Sequence, residues 1–127
     1  MAFTGTYELQ SHENFEAFMI AMGAPKLIAK KAKDAKIKTK IVQDGDHFVI
    51  TVNIGPKVQR NEFNLGEETE LVTIRGEKIK TTMNMEDGKL VSHFNGFTHV
   101  IELSGDLLIN VMTNNDIVYK RISKRVS

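Results

Sequence analysis

From position 36 onward, apolar and polar residues alternate in short runs: "KIKTKIVQ", "HFVITVN", "KVQRNEF", "ETELVTI", "GEKIKTTMNM", "KLVSHF", "THVIEL", "DLLINVMT" and "DIVYKRISKRVS". Side chains of a strand alternate between faces, so period-two alternation marks half-buried strands. The breaks between runs carry turn residues: glycines at 45, 55, 66, 76, 88, 96 and 105, then Asn114 and Asn115. Such residues tolerate the left-handed backbone of tight hairpins, and their spacing of about ten residues predicts consecutive antiparallel hairpins. With "GTYELQS" at the start, about ten strands are expected. So many strands in up-and-down order remove their exposed edges by closing into a barrel.

One stretch breaks the beat. In "ENFEAFMIAMG", Phe15, Phe18, Met19 and Met22 fall on one helical face, with Asn14 as the N-cap and Gly23 as the stop. Pro25 then suits the first turn of a second helix, "PKLIAKKAKD". Two such short helices, over about 14–34, are too small to cover a sheet but large enough to close one barrel mouth. The whole of 1–127 reads as one all-β domain: a ten-stranded antiparallel up-and-down barrel with a helix–turn–helix lid between strands 1 and 2.

Nearly every predicted inward face is apolar with one polar intruder. Ile37 and Ile41 carry Thr39; Phe48, Ile50 and Val52 form a face of their own; Phe63 carries Gln59 and Asn61; Ile79 and Met83 carry Thr81. Leu90 and Phe94 carry Ser92, Ile101 and Leu103 carry His99, and Leu108 and Met112 carry Asn110. Buried polar groups need partners, so this pattern favours a cavity with water and a ligand over a filled interior. The last strand sharpens the point. In one phase Ile117, Tyr119, Arg121 and Ser123 face inward; in the other Val118, Ile122 and Val126 do, leaving Arg121 at the surface. Periodicity does not choose between them. An inward Arg121 stays charged and needs acceptors, and a ligand carboxylate would complete the set by bidentate pairing.

Charge and composition narrow the classes. Seventeen basic residues balance 16 acidic ones for a net charge of +1, which argues against nucleic acid as a partner. Cysteine is absent, so neither disulfides nor thiol chemistry enter. The opening "MAFTGTYELQ" lacks the basic and apolar regions of a secretory signal, and a cytoplasmic location is expected. No nucleophile elbow, phosphate loop or metal-ligand spacing appears, and His12, His47, His93 and His99 are scattered. Catalysis, a metal and a cofactor are therefore not expected. Seven lysines stand between Lys26 and Lys40, opposed only by Asp34. They form either a solvated lid face or a surface that steers anions and touches anionic membrane.

These residues together resemble the intracellular fatty acid-binding protein family, one of the calycin-type lipid-binding families. "GTYELQSHENFEAFMIAMG" is similar to its N-terminal signature, and "NEFNLGEETEL", "ELSGDLLINVMT" and "DIVYKRISKRV" continue the likeness along the whole chain. The Arg121-Ile122-Ser123 ending resembles the liver-type branch, near the ileal and liver bile acid-binding proteins. The resemblance implies a monomeric carrier of long-chain fatty acids, two per chain in the liver type, and of other hydrophobic anions including bile acids. It implies a carboxylate network of Arg121, Ser123 and Asn110 with Thr39, and a ligand site completed by Tyr119, Ile41, Phe48, Ile50, Phe63, Ser92, Ile101 and Met112. Leu27, Ile28 and Lys31 are placed at the portal. Ile50 and Val72 depart from the liver pattern, which has phenylalanine and an internal glutamate there; His93 and His99 are also unusual. The competing readings are a bile acid carrier and a membrane-apposed structural protein that uses its lysine-rich lid.

Overall fold

The computed structural model describes residues 3–21, 23, 25–32, 34–72, 77–94, 96–114 and 116–127. Met22, Lys33, Gly76 and Asn115, which the sequence places on the lid face, in the basic run and at two turns, lie outside them. The described elements are β1 (Gly5–Glu13), α1 (Phe15–Ala21), α2 (Lys26–Ala32), β2 (Ile37–Asp44), β3 (His47–Ile54), β4 (Lys57–Asn64) and β5 (Glu68–Val72). Then come β6 (Lys78–Thr82), β7 (Asn84–Glu86), β8 (Lys89–Phe94), β9 (Phe97–Ser104), β10 (Leu107–Asn114) and β11 (Ile117–Arg125). The expected ten strands are present, one of them divided: the run from Lys78 to Glu86 breaks at the buried Met83. Before the break it pairs with β5, after it with β8. A strand that changes partner in this way turns a corner of the wall.

Nine strands form one antiparallel sheet in the order β4-β3-β2-β1-β11-β10-β9-β8-β7, and β5-β6 form a second ladder. Hairpins explain the order. The β7–β8 turn is the two-residue Asp87-Gly88, with φ of 51° and 80°, the left-handed pair that matches strand twist. β1 joins the two ends of the meander by pairing with both β2 and β11. A bulge between Leu9 and Ser11 shifts its register. A one-residue slip reverses faces, so Tyr7 and Leu9 point inward before the bulge and His12 lies beside Tyr119 after it.

No backbone ladder joins β4 to β5 among the described residues. Side chains span that seam instead. Asn61 accepts from the Val72 amide at 2.7 Å and donates to the Val72 carbonyl at 3.1 Å, while Gln59 donates to the same carbonyl at 2.5 Å. The Asn61 carboxamide thus satisfies both backbone groups of Val72, as a neighbouring strand would.

Two apolar clusters hold the structure. The larger packs Phe3, Tyr7, Ile41, Phe48, Phe63, Met83, Leu90, Ile101 and Leu108. Each such buried side chain contributes about 1.5–3 kcal/mol. The smaller, under the lid, packs Phe15 and Phe18 of α1 against Tyr119, with Phe97 and Met112 beside them. Asn14 begins α1 by its backbone, its carbonyl accepting from Phe18; its side chain ties the lid to β11 by donating to the Val118 carbonyl at 2.9 Å. Gly23 ends the helix, its amide donating to Ile20. No helix of the described residues is long and apolar enough to cross a membrane.

Candidate functional site

Between the two clusters lies a cavity of about 430 Å³ whose wall draws on both of them. The meander produces it directly: inward side chains from both sides of a sheet closed to this size do not reach the axis. The lining is mostly apolar, with Ile41, Ile50, Phe63, Ile101, Leu108 and Met112 among its members.

Arg121 stands in this wall at 5% exposure, while Val118 and Val126 are 44% and 51% exposed. The inward phase of β11 is therefore the arginine phase. Packing explains the choice. Tyr119 in that phase fills the space beneath Phe15 and Phe18, with ring centroids 5.5 Å from each; the opposite phase offers valine, isoleucine and two lysines, Lys120 and Lys124, and no ring.

Around Arg121 polar groups from three strands are buried. Asn110 is its register partner on β10, and Thr39 and Ser123 are buried on β2 and β11. Thr39 Oγ1, Asn110 Nδ2, Arg121 Nε and Ser123 Oγ are all buried without a hydrogen-bond partner among the described residues. No ion pair among the described residues neutralises the guanidinium. Burial pulls the Arg121 pKa below its usual value, partly offset by the adjacent Tyr119 hydroxyl; a guanidinium nevertheless keeps its charge in a protein. The wall of an apolar cavity thus holds a buried cation whose Nε has no partner among the described residues.

The same cation shapes its neighbours. His99 Nε2 lies 3.0 Å from Asn110 Oδ1. Burial, with the charge of Arg121 adding to it, holds the His99 pKa at about 4 against the hydrogen bond that the ring donates to Asn110, so the ring is neutral at pH 7. Burial raises the Tyr119 pKa, with Arg121 acting the other way. The Tyr119 hydroxyl lies 3.2 Å from His12 Nδ1, and His12 stacks on Phe15 with centroids 4.9 Å apart. A chain of contacts thus runs from the cation to the lid.

Of the residues assigned to the ligand site from sequence, Arg121, Asn110, Thr39, Tyr119, Ile41, Ile50, Phe63, Ser92, Ile101 and Met112 line the cavity, as do Ile28 and Lys31 at the lid. Three do not. Phe48 is fully buried behind the wall, stacked on Phe63 at 5.3 Å and edge-on to Phe3 at 6.0 Å, so packing consumes its surface. Ser123 is also fully buried, enclosed by its register partners Leu9 and Leu108. Leu27 is 62% exposed and turned to solvent from α2.

The wall contains residues that the sequence-derived site omitted, notably Phe18, Phe97, Lys57, Gln59, Asn61, Val72 and His99. Strand phase carried a signal for most of them. Phe97 and His99 alternate with Ile101, and Lys57, Gln59 and Asn61 alternate with Phe63.

The whole chain, residues 1–127, matches the model of the lipocalin / cytosolic fatty-acid binding protein family. It is 53% identical to the pig (Sus scrofa) liver fatty acid-binding protein over 127 residues, 99% of this chain and 100% of the relative. It is 54% identical to fatty acid-binding protein 1, liver, of the axolotl Ambystoma mexicanum over 126 residues, 98% of this chain and 100% of that one. Among solved structures it superposes with a TM-score of 0.89 on the zebrafish ileal bile acid-binding protein complexed with cholic acid, at 35% identity over 99% of this chain and 100% of that one. With this fold, this cavity and these relatives, the chain belongs to the lipocalin / cytosolic fatty-acid binding protein family.

Proposed function

We propose that this protein carries long-chain fatty acids and related hydrophobic anions inside the cell, tail in the cavity and carboxylate on Arg121. One observation carries the reading: a buried guanidinium, with no carboxylate partner among the described residues, set in the wall of an apolar cavity. The relatives, named as fatty acid-binding proteins, support it. Burying a methylene contributes about 0.8 kcal/mol, so a 16-carbon tail gains on the order of 10 kcal/mol before association losses. A charge-assisted hydrogen bond adds roughly 1.5–3 kcal/mol. The tail therefore supplies most of the affinity, and the arginine sets orientation and head-group preference.

At the mouth Lys31 and Lys57 line the cavity and offer a second anionic position, in keeping with two fatty acids per chain. The lid exposes Ile20, Leu27 and Ile28 beside Lys26, Lys30 and Lys31, a surface suited to transient contact with anionic membrane. A steroid acid is the second reading, favoured by the polar wall residues Ser92 and His99 and by the cholic acid complex of the zebrafish relative. Titrating delipidated wild type and Arg121→Ala with oleate and with oleyl alcohol tests the anchor. The substitution should weaken oleate about tenfold or more and the alcohol far less; equal losses would make the arginine structural.

A further inference from the structure

Polar groups inside the cavity are not scattered. Arg121 and Asn110 are register partners across β11 and β10, and His99 and Ser92 are register partners across β9 and β8. The contact of His99 Nε2 with Asn110 Oδ1 joins the two pairs. All four residues line the cavity, and Phe97, Ile101, Leu108 and Met112 of the same strands flank them with apolar surface. The result is one polar row across four adjacent strands, beginning at the cation.

The chemistry of His99 is fixed by its neighbours. Asn110 Oδ1 can only accept, so Nε2 carries the proton. The ring is neutral, which leaves Nδ1 as a lone-pair acceptor, and no hydrogen bond joins Nδ1 to the described residues. An alkyl chain lying across this ring displaces water from the acceptor and gives nothing back, whereas a hydroxyl on the chain donates to it. Strands lie about 4.8 Å apart. Two or three strand spacings separate Arg121 from His99 and Ser92, roughly 10–14 Å.

Building on the carrier reading, we propose that Ser92 and His99 form a hydroxyl-recognition shelf that favours fatty acids with a mid-chain hydroxyl over the same acids without one. Ser92, 7% exposed, stands opposite His99 and can give or accept a second hydrogen bond to that hydroxyl. A site built for a hydroxyl penalises the analogue that lacks it, because its own polar groups lose their partners.

The matched pair oleate and 12-hydroxyoleate tests this by calorimetric titration of the delipidated protein at pH 7. Wild type should bind the hydroxylated acid about three- to tenfold more tightly, the effect of one net neutral hydrogen bond. His99→Phe keeps a planar ring and should abolish the preference, bringing the ratio of the two affinities to about one whatever the change in oleate affinity itself. Ser92→Ala should reduce the preference and serves as the second variant if His99→Phe does not fold. Equal affinity of wild type for the two acids, or a preference that survives the substitutions, overturns the shelf and leaves the carrier reading standing. Failure of wild type to bind either acid overturns both.

Discussion

Arg121→Met should stabilise the ligand-free protein while weakening its grip on a carboxylate. The guanidinium is 5% exposed, its Nε lacks a partner and no described carboxylate pairs with it. Replacing buried ionic groups by apolar ones of similar volume has been worth about 1–4 kcal/mol. Arg121 borders a cavity that admits water, which places the gain near the lower end, about 1–2 kcal/mol. For a chain of 127 residues, each kcal/mol raises Tm by about 3–6 °C, so thermal unfolding of the delipidated variant should shift upward by about 3–12 °C. Oleate affinity should fall about tenfold or more, the loss of a charge-assisted hydrogen bond. Calorimetry on the same preparations measures both quantities. A variant that melts lower than wild type would refute the reasoning, because the cation would then be holding the barrel together.

Two further predictions follow from neighbouring groups. Asn61→Ala should leave the Val72 amide without its partner, while the carbonyl keeps Gln59, costing about 1–3 kcal/mol. Amide exchange should accelerate at Val72 before it does in the β10–β11 ladder; uniform acceleration would mean that the seam is not a separate unit. His99, with its pKa lowered from 6.5 to about 4, binds fewer protons folded than unfolded. Its contribution is therefore present above pH 6.5 and lost as pH falls through 4, up to about 3 kcal/mol in all. Urea unfolding at pH 7 and pH 4 should show a smaller acid loss for His99→Phe than for wild type; an identical loss would assign the acid sensitivity elsewhere.

Alternation made most of the barrel legible, because a half-buried strand writes its inner face into every second residue. The ten-residue spacing of turn residues supplied the hairpins, and the inward polar residues announced an interior that is not a packed core. Beyond alternation, three features escaped. The break at Met83 depends on a strand changing partners, and no local pattern encodes that. The seam at Val72 uses the Gln59 and Asn61 side chains as backbone surrogates, whereas alternation shows only that they face inward. Phe48 and Ser123 share the phase of cavity residues yet lie behind the wall, because phase gives the face of a strand and not the depth along the barrel. The arginine is the instructive case: both phases of β11 were open in the sequence, and the aromatic packing of Tyr119 beneath the lid decides between them.

A crystal structure of the oleate complex tests the central claim most directly. The carboxylate should lie within hydrogen-bond distance of the Arg121 guanidinium, about 2.7–3.0 Å, with the tail along Ile41, Ile50 and Phe63. A single oleate held by its carboxylate at Lys31 or Lys57, tail inward and Arg121 untouched, would contradict it.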